Sequence, residues 1–500
     1  MARPRSLRRE ATAAALILSA VFLTRWPLAP KYLFFFDSAN FAYAMEHFDP
    51  AEQRPQPPGY PLFVWLTQLL HAVIPNSQHV LVLSGIIGTA LAAWCLWRLG
   101  AEMFGNRAGC AAAALLIGNP VMWFGGLTNE VRTFLAVCGC GMALLFWRAS
   151  QPEAPPRRLY LACVLSGMMA GFRPETLLLV LPLLAAALFR RKEPVLRAAA
   201  ALTALGAGAA VWLVPTVLRV GGPSAYASLL LDYSRAQFHQ SSPLFGAHTQ
   251  GALRMFKSAV IWNGLGAIVW LWFVPLAGVR WKSIRAQASF IALWFVPGFL
   301  FQAVVHVADP DQTLFTVPAL CLAGGVVLAS ARAGAKWRMA GALAIGAFLF
   351  FRPPHGIAAA AGYDVVRWSS AQMAQTLDGL KKLTADGPAE VILAGQAVSW
   401  RQLAYYFPTQ PMLVVESDGT VWGVEGTRRF VPVLRNGDYV LPGGLRTVIA
   451  LDPTATTTRM LLENQSDFQS HGNLIYRARG YDGGFQIAGA RFVTAPPGKL

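Results

Sequence analysis

Apolar runs of about 18 to 25 residues recur almost end to end as far as residue 353, the length an α-helix needs to cross the hydrocarbon of a bilayer. That feature sets the fold class. A 500-residue soluble chain would carry two or more domains of average composition, but here 55% of residues are hydrophobic and 13% charged, so lipid is the solvent for most of the chain. The runs fall near 11–29, 79–97, 108–124, 131–147, 158–172, 175–189, 197–218, 256–278, 287–305, 313–330 and 337–352. They predict a mainly α, polytopic membrane helix bundle of about eleven transmembrane helices over residues 1–353.

The formal net charge of +17 raises nucleic acid as a partner, and the placement of the basic residues argues against it. Arg3, Arg5, Arg8 and Arg9 precede the first run. Arg98 with Arg107, then Arg148, Arg157 and Arg158, fall in every second connection. The clusters Arg190, Arg191, Lys192 and Arg197, then Arg280, Lys282 and Arg285, then Arg332, Lys336 and Arg338 continue the pattern. Such basic connections are cytoplasmic, and an odd number of spans then carries the C-terminus to the outer side. The first run, Ala11 to Leu23, is followed by Arg25, Trp26 and Pro27 in place of the small residues of a cleavage site, and reads as an uncleaved anchor. The six cysteines lie in or beside apolar runs and imply no disulfide framework. Gly206, Gly208, Gly341 and Gly346 lie inside apolar runs with no preceding strand, which suits helix packing rather than a phosphate loop.

From residue 354 to 500 the pattern is polar and mixed. Val366, Met373, Leu377 and Leu380 recur at helical spacing, Val391 to Ala394, Met412 to Val415 and Thr447 to Leu451 read as short strands, and Val398 to Phe407 as a helix. A small extracytoplasmic α/β domain is expected here, with a glycosylation sequon at Asn464 by pattern only.

Two long outer segments result, near 30–78 and 220–254, and the first contains the chemistry. Its stretch from Gln56 to about Ile74 is expected to run along the membrane surface without crossing, since another span there would reverse every later basic cluster. Asp37 follows three phenylalanines at the hydrocarbon boundary, where an acid costs free energy unless a partner, a function or a helix-capping role compensates. By this topology Glu130, Arg173, Glu175, His306, Asp309 and Asp311 share its face and form one candidate cavity. Arg235, Arg254 and Lys257 are further outer cations, the last two also suited to anchoring at the interface.

Asp37 followed by Asn40-Phe41-Ala42-Tyr43 and then Pro57-Pro58-Gly59-Tyr60-Pro61-Leu62 resembles the first outer loop of the GT-C glycosyltransferases. The likeness is to the bacterial relatives of dolichyl-phosphate-mannose protein mannosyltransferases and of lipid A aminoarabinose transferases. Asn119-Pro120, Trp123 and Glu130 resemble the second acidic position of that family. Gly171-Phe172-Arg173-Pro174 and Asp309-Pro310-Asp311 ahead of Val317-Pro318 resemble later landmarks. The chain departs from the pattern at Ser38, where the family often has a second acid, and at Gln56, where it often has histidine.

The resemblance implies a GT-C-like bundle and an inverting transfer of a sugar from a polyprenyl-phosphate donor to a glycan, lipid or protein acceptor at the outer membrane face. Asp37 would be the catalytic carboxylate and Glu130 a second acid orienting it or the acceptor. Asn40, Tyr43, Tyr60 and Asp311 would bind substrate, with Arg173 and Arg235 meeting the phosphate. A carboxylate can accept the proton of an attacking hydroxyl, and arginine presents a planar fork to phosphate. The resemblance fixes no cofactor; a divalent metal stays open, with His47, His239 and His306 as further ligands beside Asp37 and Glu130, although no short ligand spacing supports it. Two other classes also stay open: a secondary transporter, and a non-catalytic membrane scaffold with an outer binding domain.

The alternation of basic clusters makes a checkable statement. Reporters fused after Leu500 should be active only when they function outside the cytoplasm, and activity confined to a cytoplasmic reporter would overturn the topology.

Overall fold

The structure, a computed structural model, describes residues 4–34, 36–128, 131–239, 241–279, 281–330, 334–385, 389–394, 400–416, 418–425, 428–441, 447–451, 469–471, 474–478 and 484–494. The chain divides into two compact units, residues 1–30 with 41–366, and residues 31–40 with 367–500.

Each apolar run of the first unit is helical. Among the described residues, Glu10–Leu28, Ser77–Phe104, Val131–Ala149, Val195–Val220, Thr249–Leu276 and Lys282–Val304 are long and apolar enough to cross a membrane. A seventh is added if Asn106–Ile117 and Pro120–Thr128, bent by 53° at their junction, make one broken span. The expected count of about eleven is not reached by this measure, because the remaining runs form shorter helices. Pro156–Met169, Leu181–Arg191, Val317–Ala329 and Ala335–Phe351 have 14, 11, 13 and 17 residues, short of the ~20 that span hydrocarbon. The first three carry proline in their first turn, where the ring fits a helix start and restricts the residue before it. The expected non-crossing outer segment holds the helix Pro61–His71, which at 11 residues is too short to cross.

The bend in the broken pair has a local cause. Pro120 starts the second half, and the Asn119 side-chain oxygen accepts from the amides of Val121 at 3.0 Å and Met122 at 3.3 Å. The exposed end of the first half is met by Arg25, fully buried, which donates to the carbonyl of Ile117 at 2.5 Å while its guanidinium lies 4.9 Å from the Trp123 ring centre. A buried arginine at the end of the first helix thus completes the hydrogen bonding of a helix interrupted elsewhere.

Small residues bring the helices together. A Cβ on Gly167 would lie 2.1 Å from the Leu205 carbonyl, and one on Gly208 would lie 2.1 Å from the Val164 carbonyl, so Pro156–Met169 and Val195–Val220 touch backbone to backbone. Gly346 abuts the Gly118 carbonyl in the same way, whereas Gly206 faces open space and does no packing.

The second unit takes up the helix Tyr363–Thr384 from Arg367, and Leu377 and Leu380 of that helix are buried with Met373 packed beside them. The strand Ala389–Ala394 lies between Met412–Val415 and Thr447–Leu451, parallel to both. Antiparallel strands Val421–Glu425 and Arg428–Phe430 extend one side, and Leu474–Ala478 and Gln469–His471 the other, giving seven strands among the described residues. Alternation sorts the side chains, with Val391 and Leu393 in the core under the helices Tyr363–Thr384 and Trp400–Tyr406. Ile392 faces a second core with Phe485 and Phe492, which belong to a smaller four-stranded sheet. The sequon at Asn464 and the first two residues of the expected helix 398–407 lie outside the described residues.

Replacing Gly167 by valine should separate the two helices and cost about 1–3 kcal/mol, the usual scale of overpacking. Gly206→Ala should be neutral or slightly stabilising. Thermal unfolding in detergent checks this, and equal midpoints for the two variants would refute the close approach.

Candidate functional site

The loop between the helices Phe36–Glu46 and Pro61–His71 turns through three positive-φ residues, Gln53 at φ 56°, Gly59 at φ 101° and Tyr60 at φ 43°. For a bulky residue such as Tyr60 that conformation is unfavourable by about 1–3 kcal/mol, and persists only where the surroundings enforce it. The enforcement is visible: Tyr226 donates to the Pro58 carbonyl at 3.0 Å, and a Cβ at Gly59 would reach Pro50 Cγ at 2.8 Å. Tyr60 is buried, 5.7 Å from the ring of Phe41, and the Arg173 guanidinium stands 5.0 Å from its ring centre.

Arg173 sits in the turn between Pro156–Met169 and Thr176–Leu179. The turn is fixed on both sides, because the Gly171 carbonyl accepts from Leu62 at 3.2 Å and Phe172 stacks on Phe134 at 4.5 Å. Arg173 is 7% exposed and binds Glu175 through Nε at 2.8 Å and Nη2 at 2.5 Å. Burial works against its charge, but Glu175, Tyr60 and Asp311 outweigh burial and hold its pKa above the ordinary value.

A second guanidinium is deeper. Arg132, in the first turn of Val131–Ala149, is 6% exposed, and its Nη1 lies 3.8 Å from the carboxylate of the fully buried Asp311. Arg132 Nε and Nη1 have no hydrogen-bond partner among the described residues. Asp311 belongs to the 3-10 segment Pro310–Phe315, which wedges between helices where glycine allows. A Cβ on Gly125 would meet Asp311 at 2.9 Å, and one on Gly139 would meet the Phe315 carbonyl at 2.9 Å. Buried amides pin this segment: Asn263 donates to Gln302 at 2.7 Å, and Thr316 donates to Asn263 at 2.6 Å.

His306 and Asp309 complete the group. The His306 Nε2 is 3.3 Å from the Gln312 amide, and its ring packs 4.5 Å from that of Phe238. Burial, then the charges of Arg132 and Arg173, push the His306 pKa down to about 4. Burial raises the Asp309 carboxyl against the opposing pull of Arg132. Arg132 is thus in contact with Asp311, and its charge also acts on His306 and Asp309.

Of the sequence candidates, Tyr60, Arg173 and Asp311 are therefore brought together in the first unit. Tyr43 is also buried there, while Arg235 is exposed on the helix Pro223–Phe238 and takes no part in the buried group. Asp37, half-buried in the first turn of Phe36–Glu46, and the buried Asn40 belong to the second unit. Glu130 lies outside the described residues. No three His, Cys, Asp or Glu side chains among the described residues gather as a metal site. Sequence reasoning missed Arg132. Its signal was a charge at the head of an apolar span, which by itself marks a functional candidate.

The His306 shift has a pH consequence. Below the unfolded value of 6.5 the unfolded chain takes up a proton that the folded chain refuses down to about 4, so stability should fall as pH drops through that window. His306→Gln should flatten this part of the unfolding-midpoint profile, and identical profiles for both proteins would contradict the burial of a neutral imidazole.

Residues 54–218 match the family model described as dolichyl-phosphate-mannose-protein mannosyltransferase. No curated protein matches the sequence. Among solved structures, ArnT from Cupriavidus metallidurans in the apo state is similar at 14% identity with a TM-score of 0.56, over 94% of this chain and 98% of that one. The same protein bound to undecaprenyl phosphate matches at 14% identity and a TM-score of 0.49, over 81% and 92%. The apo oligosaccharyltransferase of Archaeoglobus fulgidus matches at 12% identity and 0.43, over 91% and 70%. The apolar bundle, its bent helix pair and the mixed-sheet unit that follows, aligned with apo ArnT over nearly the whole of both chains, give this protein an ArnT-like fold.

Proposed function

We propose that the chain transfers a sugar from a polyprenyl-phosphate donor to an acceptor hydroxyl at the outer face of the membrane, with Asp37 as general base. The observation that carries this reading is the pair of buried guanidiniums, Arg132 and Arg173, in a fold shared with a protein that binds undecaprenyl phosphate. Arg132, buried with Nε and Nη1 unfilled among the described residues, suits an anion that arrives and leaves with its charge. The match of residues 54–218 to a mannosyltransferase family supports the same donor class.

The step is a single displacement. The acceptor oxygen attacks the anomeric carbon opposite the phosphate, its proton passes to the Asp37 carboxylate, and the bond to the phosphate oxygen breaks with its electrons on the polyprenyl phosphate. Arg173, already braced by Glu175 and Tyr60, and Arg132 with Nε and Nη1 unfilled among the described residues, meet that developing charge. Asp311 balances Arg132 while the donor is absent, since an unpaired buried charge is strongly destabilising. Glu130, Asn40 and Tyr43 are assigned to acceptor and sugar contacts. Residues 1–353 are the catalytic membrane part and 354–500 an outer domain, with the N-terminus cytoplasmic in a bacterial inner membrane; the basic clusters support this orientation.

A second reading, secondary transport, draws on the broken pair at Asn119-Pro120 with Asp311 against Gly125, because transporters bind ions at such breaks. Membranes supplied with polyprenyl-phosphate sugars separate the two readings. Covalent transfer to product supports the enzyme, and solute accumulation without transfer supports the transporter.

Asp37→Asn should lower turnover by roughly 10²- to 10⁴-fold, the size of general-base catalysis, with donor affinity unchanged. Arg132→Gln and Arg173→Gln should instead weaken donor binding by roughly tenfold or more. Transfer by Asp37→Asn within a few-fold of wild type, at equal abundance, would return that residue to a capping role.

A further inference from the structure

The residues leading into Asp37 are held by side chains that follow them by more than 360 positions. Residues 31–40 cluster with the C-terminal unit. Tyr32, Leu33 and Phe34 are non-helical, and Leu33 and Phe34 are buried, so their backbone groups need partners. One short helix, Trp400–Tyr406, supplies them. Gln402 Nε2 donates to the Leu33 carbonyl and, at 3.1 Å, to the Phe34 carbonyl. The Leu33 amide donates to the Tyr406 hydroxyl at 2.9 Å. Aromatic rings close both flanks, Tyr32 edge-on to Tyr406 at 5.6 Å and Phe36 edge-on to Trp400 at 5.5 Å. Trp400 is itself backed by Trp422 at 5.1 Å. Gln402 and Tyr406 are four residues apart and so share one face of their helix.

We infer that Gln402 and Tyr406 are positioning residues for Asp37: the C-terminal unit fixes the backbone from which the carboxylate projects. This rests on the reading of Asp37 as the general base. Asp37 stands one residue after Phe36 in the first turn of its helix, so the contacts that hold Leu33, Phe34 and Phe36 bear on where that turn begins. A base must be held within hydrogen-bond reach of the proton it accepts, and a displacement of about 1 Å can cost on the order of 10²-fold in rate. The outer unit thereby has a task that needs no catalytic group of its own.

The test uses the full-length protein in nanodiscs with a polyprenyl-phosphate sugar donor. Gln402→Met removes the two donated hydrogen bonds at nearly constant volume, and Tyr406→Phe removes the hydroxyl while keeping the ring. Each should lower kcat by roughly three- to thirtyfold and the double variant by about 10²-fold, with KM for the donor unchanged. Amide exchange of the peptide spanning residues 31–40 should become faster in the same proteins. In an Asp37→Asn background neither change should lower kcat further, because the loss acts through that carboxylate. If Gln402→Met does not fold, Tyr406→Phe alone decides. Faster exchange with unchanged kcat, unchanged exchange, or an additive loss in the Asp37→Asn background each overturns the inference while leaving the catalytic reading intact. An active Asp37→Asn protein overturns the catalytic reading and the positioning role with it, and the exchange data then report only the tether.

Discussion

A charge placed among apolar helices has to be neutralised or hydrogen-bonded, and much of the first unit is organised around meeting that demand at Arg132 and Asp311. Neither residue is tolerable alone at this depth, since an uncompensated buried ion costs several kcal/mol. Their meeting requires Pro310–Phe315 to enter the bundle, and that entrance is possible because Gly125, Gly139 and Gly298 leave room for its backbone and side chains. The hydroxyl of Thr316, which directly follows the segment, is then met by Asn263 and Gln302 on neighbouring helices. Packing, hydrogen bonding and charge balance at this place are one arrangement, and Arg173 with Glu175 extends it toward Tyr60.

The same logic explains why interruptions of helical structure cluster where polar side chains are buried. Asn119 closes a helix start at the bend, and Arg25 serves the helix end at Ile117 just before it, so irregular backbone is kept within protein. Such breaks let side chains and backbone groups face an interior ligand without leaving unsatisfied amides in lipid. The fold therefore offers polar chemistry inside an apolar bundle without giving up the hydrogen bonding that a bilayer imposes.

How far the sequence could be read follows from the range of the forces involved. Helix positions came from local hydrophobicity, and every apolar run is helical. The strands at 391–394, 412–415 and 447–451 were legible for the same reason, because short β-rich runs bounded by turn residues report on their own burial. Helix length was less legible, since prolines such as Pro182 and Pro318 divide runs that hydropathy alone joins. At the site, Tyr60 and Arg173 lay in recognisable turns. Arg132 did not, and Arg235, which has the right charge, lies exposed on its helix. The bonds from Gln402 and Tyr406 to residues 33 and 34 could not be read at all, because no local pattern marks a contact across |i−j| of 368 to 373.

That separation also has a meaning in time. At about 5–20 residues per second, a ribosome needs roughly 20 to 75 s to proceed from Leu33 to Tyr406, a gap of 373 positions. Throughout that interval the first helix has been made, but the Leu33 amide and carbonyl still lack the Tyr406 and Gln402 groups that they meet in the finished protein. Those groups are left to water or to transient contacts until the last quarter of the chain emerges. Completion of the segment that carries Asp37 is thus a late event in biogenesis, and a nascent protein with its helices already made still lacks the finished arrangement around that carboxylate.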